Sequence, residues 1–178
     1  MIPRIKISPG ALLLFALTLF FDGSGTFSAL IPAAAAHEAG HIAAVTACGG
    51  SVRCFRLDLF GISMDYTPRL DGRGSIICAA AGPLAGLIYA LAAFFAGGDF
   101  LITSAALSLV LTFFNLLPAL PLDGGRIVSS LCTAGKVRQI SLVCALCVML
   151  TGLALLVFFG MASLLIIGAW LLCCNVRG

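Results

Sequence analysis

Charge is what this chain lacks most. Its 178 residues hold ten Lys/Arg and seven Asp/Glu, 10% of the total, against about 25% in an ordinary soluble domain. So few charges cannot keep a water-exposed surface of this length in solution, which excludes a soluble enzyme and a disordered tail. The balance of +3 is no basic patch, so a nucleic-acid partner is not expected either. Histidine occurs twice, at 37 and 41, and glutamate once, at 38. Internal repeats, low-complexity linkers and an appended soluble domain are also missing, which predicts one membrane-embedded domain over 1–178. What is abundant is apolar surface: 61% hydrophobic residues and a mean hydropathy of +1.17. The expected class is an all-α polytopic membrane protein. Cysteine is not scarce, at eight, but most lie in or beside apolar runs, where Cys behaves as a small hydrophobe. The Cys144/Cys147 pair therefore predicts packing rather than redox or metal chemistry.

Six segments are apolar enough to enter a bilayer, at about 10–21, 27–48, 75–97, 101–121, 139–157 and 160–174. One helix from 138 to 174 would run about 55 Å, beyond a hydrocarbon core of about 30 Å. A turn is needed near Gly160, with Gly152 as the alternative. With the N-terminus inside and a crossing at each segment, all ten basic residues, Arg69 and Arg177 among them, fall on the cytoplasmic side. Only Asp22 and Asp99 remain in the outer turns. This obeys the positive-inside rule and predicts six crossings with both termini cytoplasmic. Arg4 and Lys6 before an apolar run resemble a signal peptide, but Ala33–Ala36 lie too far beyond it for cleavage; a retained first segment is expected.

The stretch 49–74 is different. Phe55, Leu57 and Leu59 alternate with Arg56 and Asp58, and after Gly61, Ile62, Met64 and Tyr66 alternate with Ser63 and Asp65. Period-two alternation around a glycine predicts a small β-hairpin at the cytoplasmic side, between the second and third membrane segments.

The chemistry concentrates in His37-Glu38-Ala39-Gly40-His41. On a helix, positions i and i+4 share a face, so both imidazoles can reach one metal ion. Glu38 stands one step round, where it can take a proton from a water that the metal activates. Shuffling would assemble the chain's two histidines and single glutamate in this pattern about once in sixteen thousand trials, so coincidence is a poor account of the motif. The motif also lies inside an apolar stretch, where ionisable groups are expensive and functional by default. A catalytic zinc site normally has three protein ligands, and no third histidine exists. Asp22 and Asp99 are in the outer turns; Asp58, Asp65 and Asp71 belong to the hairpin loop. Asp123 is left, in Asn115-Leu-Leu-Pro-Ala-Leu-Pro-Leu-Asp123-Gly-Gly-Arg126. Pro118 and Pro121 break the arriving helix, and irregular backbone at membrane depth is tolerated only inside protein or along a watery cavity. Asp123 is either the third ligand, a helix cap or a partner of Arg126. Asn115 either bonds the loosened backbone or holds a substrate carbonyl. Ala81–Gly86 carries a small-xxx-small spacing that predicts close helix packing.

These two motifs, HEAGH at 37–41 and N-x-x-P-x-x-P-L-D-G at 115–124, resemble those of the site-2 proteases, a family of intramembrane zinc metalloproteases. The resemblance runs from about 27 to 126, with Ala81–Pro83 matching the small-residue segment between the motifs. It implies one Zn2+ per chain held by His37, His41 and Asp123, Glu38 as catalytic acid/base, and substrate positioning by Asn115. It also implies hydrolysis of a peptide bond in or near the transmembrane segment of a membrane-associated protein. No PDZ domain fits between the motifs. The compact form resembles the branch that includes sporulation factor-processing proteases, without that branch's CBS domain and with Gly86 where the family often has Asn. The implied setting is a prokaryotic plasma or sporulation membrane. The partners are a protein substrate and the lipid bilayer, with a regulatory membrane protein or a second copy of the chain left open. Two other functions use the same residues: a divalent-metal transporter and a catalytically silent binding protein. Transit needs a path open to both faces, and nothing polar lies in the outer half apart from loop residues; Glu38 argues against silent binding, which has no need of that base.

Overall fold

A computed structural model describes residues 4–20, 22–58, 61–67 and 72–176; Leu59, Arg69, Asp71 and Arg177 lie outside them. Contacts divide the chain into two compact units, Met1–Thr112 and Phe113–Gly178.

The first unit carries β1 (Arg4–Ile7), α1 (Pro9–Phe20), α2 (Thr26–Ala47), β2 (Ser51–Asp58), β3 (Gly61–Thr67), α3 (Gly72–Ala96) and most of α4 (Asp99–Asn115). The expected hairpin forms: β2 and β3 pair antiparallel, with Phe55 opposite Met64 and Leu57 opposite Ile62. A third strand joins it, because β1 pairs parallel to β2 with Ile5 opposite Phe55 and Ile7 opposite Leu57. The small sheet thus has the order β1-β2-β3. α2 begins where Asp22 accepts bonds from the amides of Phe27 and Ser28, at 3.1 and 2.8 Å, and from the Ser28 hydroxyl. These satisfy amides that have no intrahelical acceptor at a helix start. They hold the Asp22 carboxyl below the usual carboxylate value, the Ser28 amide contributing most.

α2 and α3 approach closely because small residues face each other. A β-carbon at Gly40 would collide with the Ala81 carbonyl and sit 2.6 Å from the Ala85 methyl. Within the small-residue stretch Ala81–Gly86, it is the pair Ala81 and Ala85 that packs against α2, in the small-xxx-small manner the sequence predicts. α4 joins through hydroxyls: Ser104 donates to the Ala29 carbonyl at 2.7 Å and Ser108 to that of Gly86 at 2.8 Å.

The second unit holds the last three residues of α4, then α5 (Asp123–Leu131), α6 (Ala134–Phe159) and α7 (Ser163–Val176). α4 stops at Asn115 rather than running on to 121, since a proline at 118 has no amide to donate and its ring obstructs the carbonyl four residues back. The backbone after it is bonded from outside: Ser141 of α6 accepts from the Leu120 amide at 3.3 Å, and Asn175 of α7 donates to the Leu120 carbonyl at 2.6 Å. α6 begins at Ala134, earlier than the apolar pattern suggests, because Lys136 and Arg138 extend the helix past its hydrophobic part. Arg138 donates to the Val176 carbonyl at 3.1 Å, where a cation suits the last turn of a helix. The turn between α6 and α7 falls at Gly160, whose φ of +71° suits glycine. Gly152 instead gives α7 room, since its β-carbon would lie 2.6 Å from the Leu165 Cα.

The burial pattern inverts that of a water-soluble protein. Buried positions are mostly small (Ala29, Ala33, Ala79, Ala90, Ala93, Ala105, Ala145, Ser104, Ser108, Ser141), while Leu84, Ile88, Phe94, Phe95, Val143, Leu150, Val157 and Phe158 face outward. Such a surface is matched to lipid chains, and small residues inside let the helices approach closely. Among the described residues α3 and α6 are long and apolar enough to cross a bilayer, and α4 and α7 are shorter apolar helices.

Candidate metal centre

In the first unit, α2 places His37 and His41 one turn apart and buries both, at 4% and 9% exposure. Glu38 is half-buried beside them. The two rings stand edge to face, with centroids 4.9 Å apart and Nε2 atoms 3.2 Å apart. That spacing suits two corners of a metal tetrahedron: with Zn–N bonds of about 2.0–2.1 Å, neighbouring ligand nitrogens lie roughly 3.3 Å apart.

The tautomer of His41 follows from its other nitrogen. Nδ1 lies 2.7 Å from the Cys78 carbonyl oxygen, which can only accept, so Nδ1 carries the proton and a neutral ring offers the Nε2 lone pair. Fixing a ligand from its far side in this way is how outer partners orient metal-binding histidines. Gly82, one turn after Cys78 on α3, gives the ring its seat. A β-carbon there would fall within the imidazole, 2.5 Å from Cε1 and 2.8 Å from Cδ2. The sequence placed Gly82 in a packing stripe; its tighter constraint is the face of a candidate metal ligand.

In the second unit, Asp123 opens α5 and is 5% exposed, a position where the helix N-terminus favours negative charge. Arg126 approaches it at 3.7 Å from one turn on, with its side chain 44% exposed. The Arg126 contact weighed at the sequence level is therefore real, but loose. Gly124 and Gly125 follow because the broken segment lies directly on them: a β-carbon on Gly124 would strike the Leu116 carbonyl, and one on Gly125 would lie 2.5 Å from the Leu120 amide. Asn115 sits half-buried at the end of α4, at the entrance to that segment. Ser141 and Asn175 are functional in this packing without standing out in the sequence. Each is a polar side chain in an apolar run, the same signal that drew attention to Asn115.

His37 and His41 in the first unit and Asp123 in the second are all buried, and each offers one donor atom of a kind that binds metal. Two imidazoles and a carboxylate are ligand types found in catalytic zinc sites.

Comparison with known proteins adds to this chemistry. The model of peptidase family M50, whose members are metalloproteases, matches residues 98–159, a span that includes Asn115 and Asp123. The fold is similar to that of the Site-2 Protease from Methanocaldococcus jannaschii, at 22% sequence identity and a TM-score of 0.65. The match covers 97% of this chain and 89% of that one. At that identity the likeness is one of fold. No curated protein matches the chain. The resemblance to site-2 proteases drawn from the two motifs is borne out by the family model and by the fold.

Proposed function

We propose that this site-2 protease-like chain is an intramembrane zinc metalloprotease, cutting a peptide bond in or near the transmembrane segment of a membrane-associated protein. The observation that carries the reading is the buried His37/His41 pair, with Nε2 atoms 3.2 Å apart and a glutamate at the next position. His37, His41 and Asp123 would hold the ion, and zinc, when bound, would polarise the scissile carbonyl and acidify water. Glu38 is the base that receives the proton and later hands it to the leaving amine. Asn115 is the amide that steadies the substrate carbonyl. Arg126, whose head is partly in solvent, tempers the charge of Asp123 without displacing it.

A substrate helix keeps its amides paired internally, so it must unwind before it is cut. The sheet order makes β3 an edge strand, with β1 closing the far side of β2. An unwound segment can add to the β3 edge, the recognition mode in which main-chain bonds supply affinity. Six crossings with both termini in the cytoplasm, in a prokaryotic plasma or sporulation membrane, complete the reading. Regulation would come from a membrane partner or a second copy.

The test uses purified protein in detergent with casein, an unfolded substrate that needs no unwinding. Wild type should cleave it in a chelator-sensitive way, and Glu38→Gln should cleave none while keeping its metal. Equal cleavage by Glu38→Gln would refute the assignment. Passage of zinc into sealed vesicles at the same rate in wild type and Glu38→Gln, without proteolysis, would favour a transporter.

A further inference from the structure

Threonine in a membrane helix ordinarily returns its hydroxyl to a carbonyl one turn back. Four threonines in the described helices do so: Thr18 to Phe15, Thr46 to Ile42, Thr103 to Asp99 and Thr151 to Cys147, at 2.8–3.0 Å. Thr112 does not. It is 4% exposed, and its Oγ1 has no hydrogen-bond partner. Ser104 and Ser108, two turns and one turn earlier on the same face of α4, are also buried, and both are bonded to carbonyls. A buried hydroxyl that declines the local acceptor is costly unless it serves something else.

Its surroundings indicate what that is. Thr112 occupies the space that glycine leaves at position 86: a β-carbon there would lie 2.6 Å from Thr112 Oγ1, 3.5 Å from Ser108 Oγ and 3.7 Å from His37 Nδ1. The Ser108 hydroxyl is already committed to the Gly86 carbonyl. The Thr112 hydroxyl and the Nδ1 side of His37 therefore border the same missing side chain.

We propose that Thr112 is a positioning residue for His37, its hydroxyl accepting the Nδ1 proton once a metal holds Nε2. Thr112 then does for His37 what the Cys78 carbonyl does for His41, and Gly86 is glycine so that the hydroxyl can reach that side of the ring. This rests on the metal-site reading above, and its failure is separable from the failure of that reading.

The experiment measures zinc affinity by chelator competition on the purified full chain, with the visible spectrum of the cobalt-loaded protein as a second readout. Thr112→Val removes the hydroxyl and keeps the shape. It should weaken zinc binding about 10–100-fold, the usual effect of losing an outer partner of a ligand, and change the cobalt bands. Its metal-free thermal stability should not fall. Thr112→Ser should restore both readouts, and Gly86→Ala should weaken binding as Thr112→Val does. Equal affinity and spectra for wild type and Thr112→Val would overturn the proposal alone, as would failure of Thr112→Ser to recover them. A wild type that binds no zinc would overturn the metal-site reading, and this proposal with it.

Discussion

Gly82→Ala is the sharpest structural test of the histidine geometry. In an ordinary helix interior, alanine is favoured over glycine by about 1 kcal/mol, so this change should stabilise α3 if nothing stood nearby. Here the added methyl falls within the His41 imidazole. Either α3 moves away from α2, or the ring leaves its 2.7 Å bond to the Cys78 carbonyl. Overfilling a close-packed site costs about 1–3 kcal/mol, and stranding the buried Nδ1–H donor about 1–3 kcal/mol. A net loss of about 3 kcal/mol at a ligand corresponds to roughly 100-fold in metal affinity. Gly135→Ala is the matched control, because a β-carbon there meets nothing within 4 Å. Chelator competition and thermal unfolding in detergent measure both variants. Gly82→Ala should bind zinc about 100-fold more weakly and melt lower, with Gly135→Ala unchanged in binding. A Gly82→Ala protein that holds zinc like wild type and melts higher would refute the placement of His41.

Two further outcomes follow from bonds outside the metal centre. Asn175→Ala strands the Leu120 carbonyl and should destabilise the second unit by about 1–3 kcal/mol, lowering the melting midpoint by several degrees; an unchanged midpoint would mean that water replaces the amide. Asp22 has its carboxyl held low by the amides that open α2, so its stabilisation is full above the ordinary value of 3.8 and fades as pH falls through the lower folded value. Thermal melts from pH 6 down to pH 3 should show Asp22→Asn less stable than wild type at the upper end, with the gap closing at the lower end. Parallel curves would show that Asp22 does not cap the helix.

How much was legible in the sequence depended on the range of each interaction. The His37/His41 pairing, the hairpin around Gly61 and the turn at Gly160 are local, set by spacing or by one residue's conformation, and the structure contains all three. The strand Arg4–Ile7 was not foreseen. Four residues give too little alternation to stand out, and their pairing with Cys54–Leu57 is parallel and some fifty residues distant, which no local pattern encodes. Arg4 and Lys6 were legible only as charges beside a membrane segment. The segment expected to reach 121 ends at Asn115, because Leu116 and Leu117 look helical by hydropathy while the coming prolines decide the backbone. α5 is hard to see for the opposite reason: with Arg126, Ser129 and Ser130 in nine residues, it is a polar helix that leaves no trace in the hydropathy pattern. Gly82 was visible as a small residue, but its contact with a histidine on another helix was not.

The most direct test of the central claim is the metal content of purified protein, measured for wild type, Glu38→Gln, Asp123→Ala and the double variant His37→Ala/His41→Ala. Wild type and Glu38→Gln should hold equal zinc, one ion to a chain, and the other two should lose it. A full complement of zinc in Asp123→Ala would contradict the three-ligand site, and with it the assignment of this chain's chemistry to His37, His41 and Asp123.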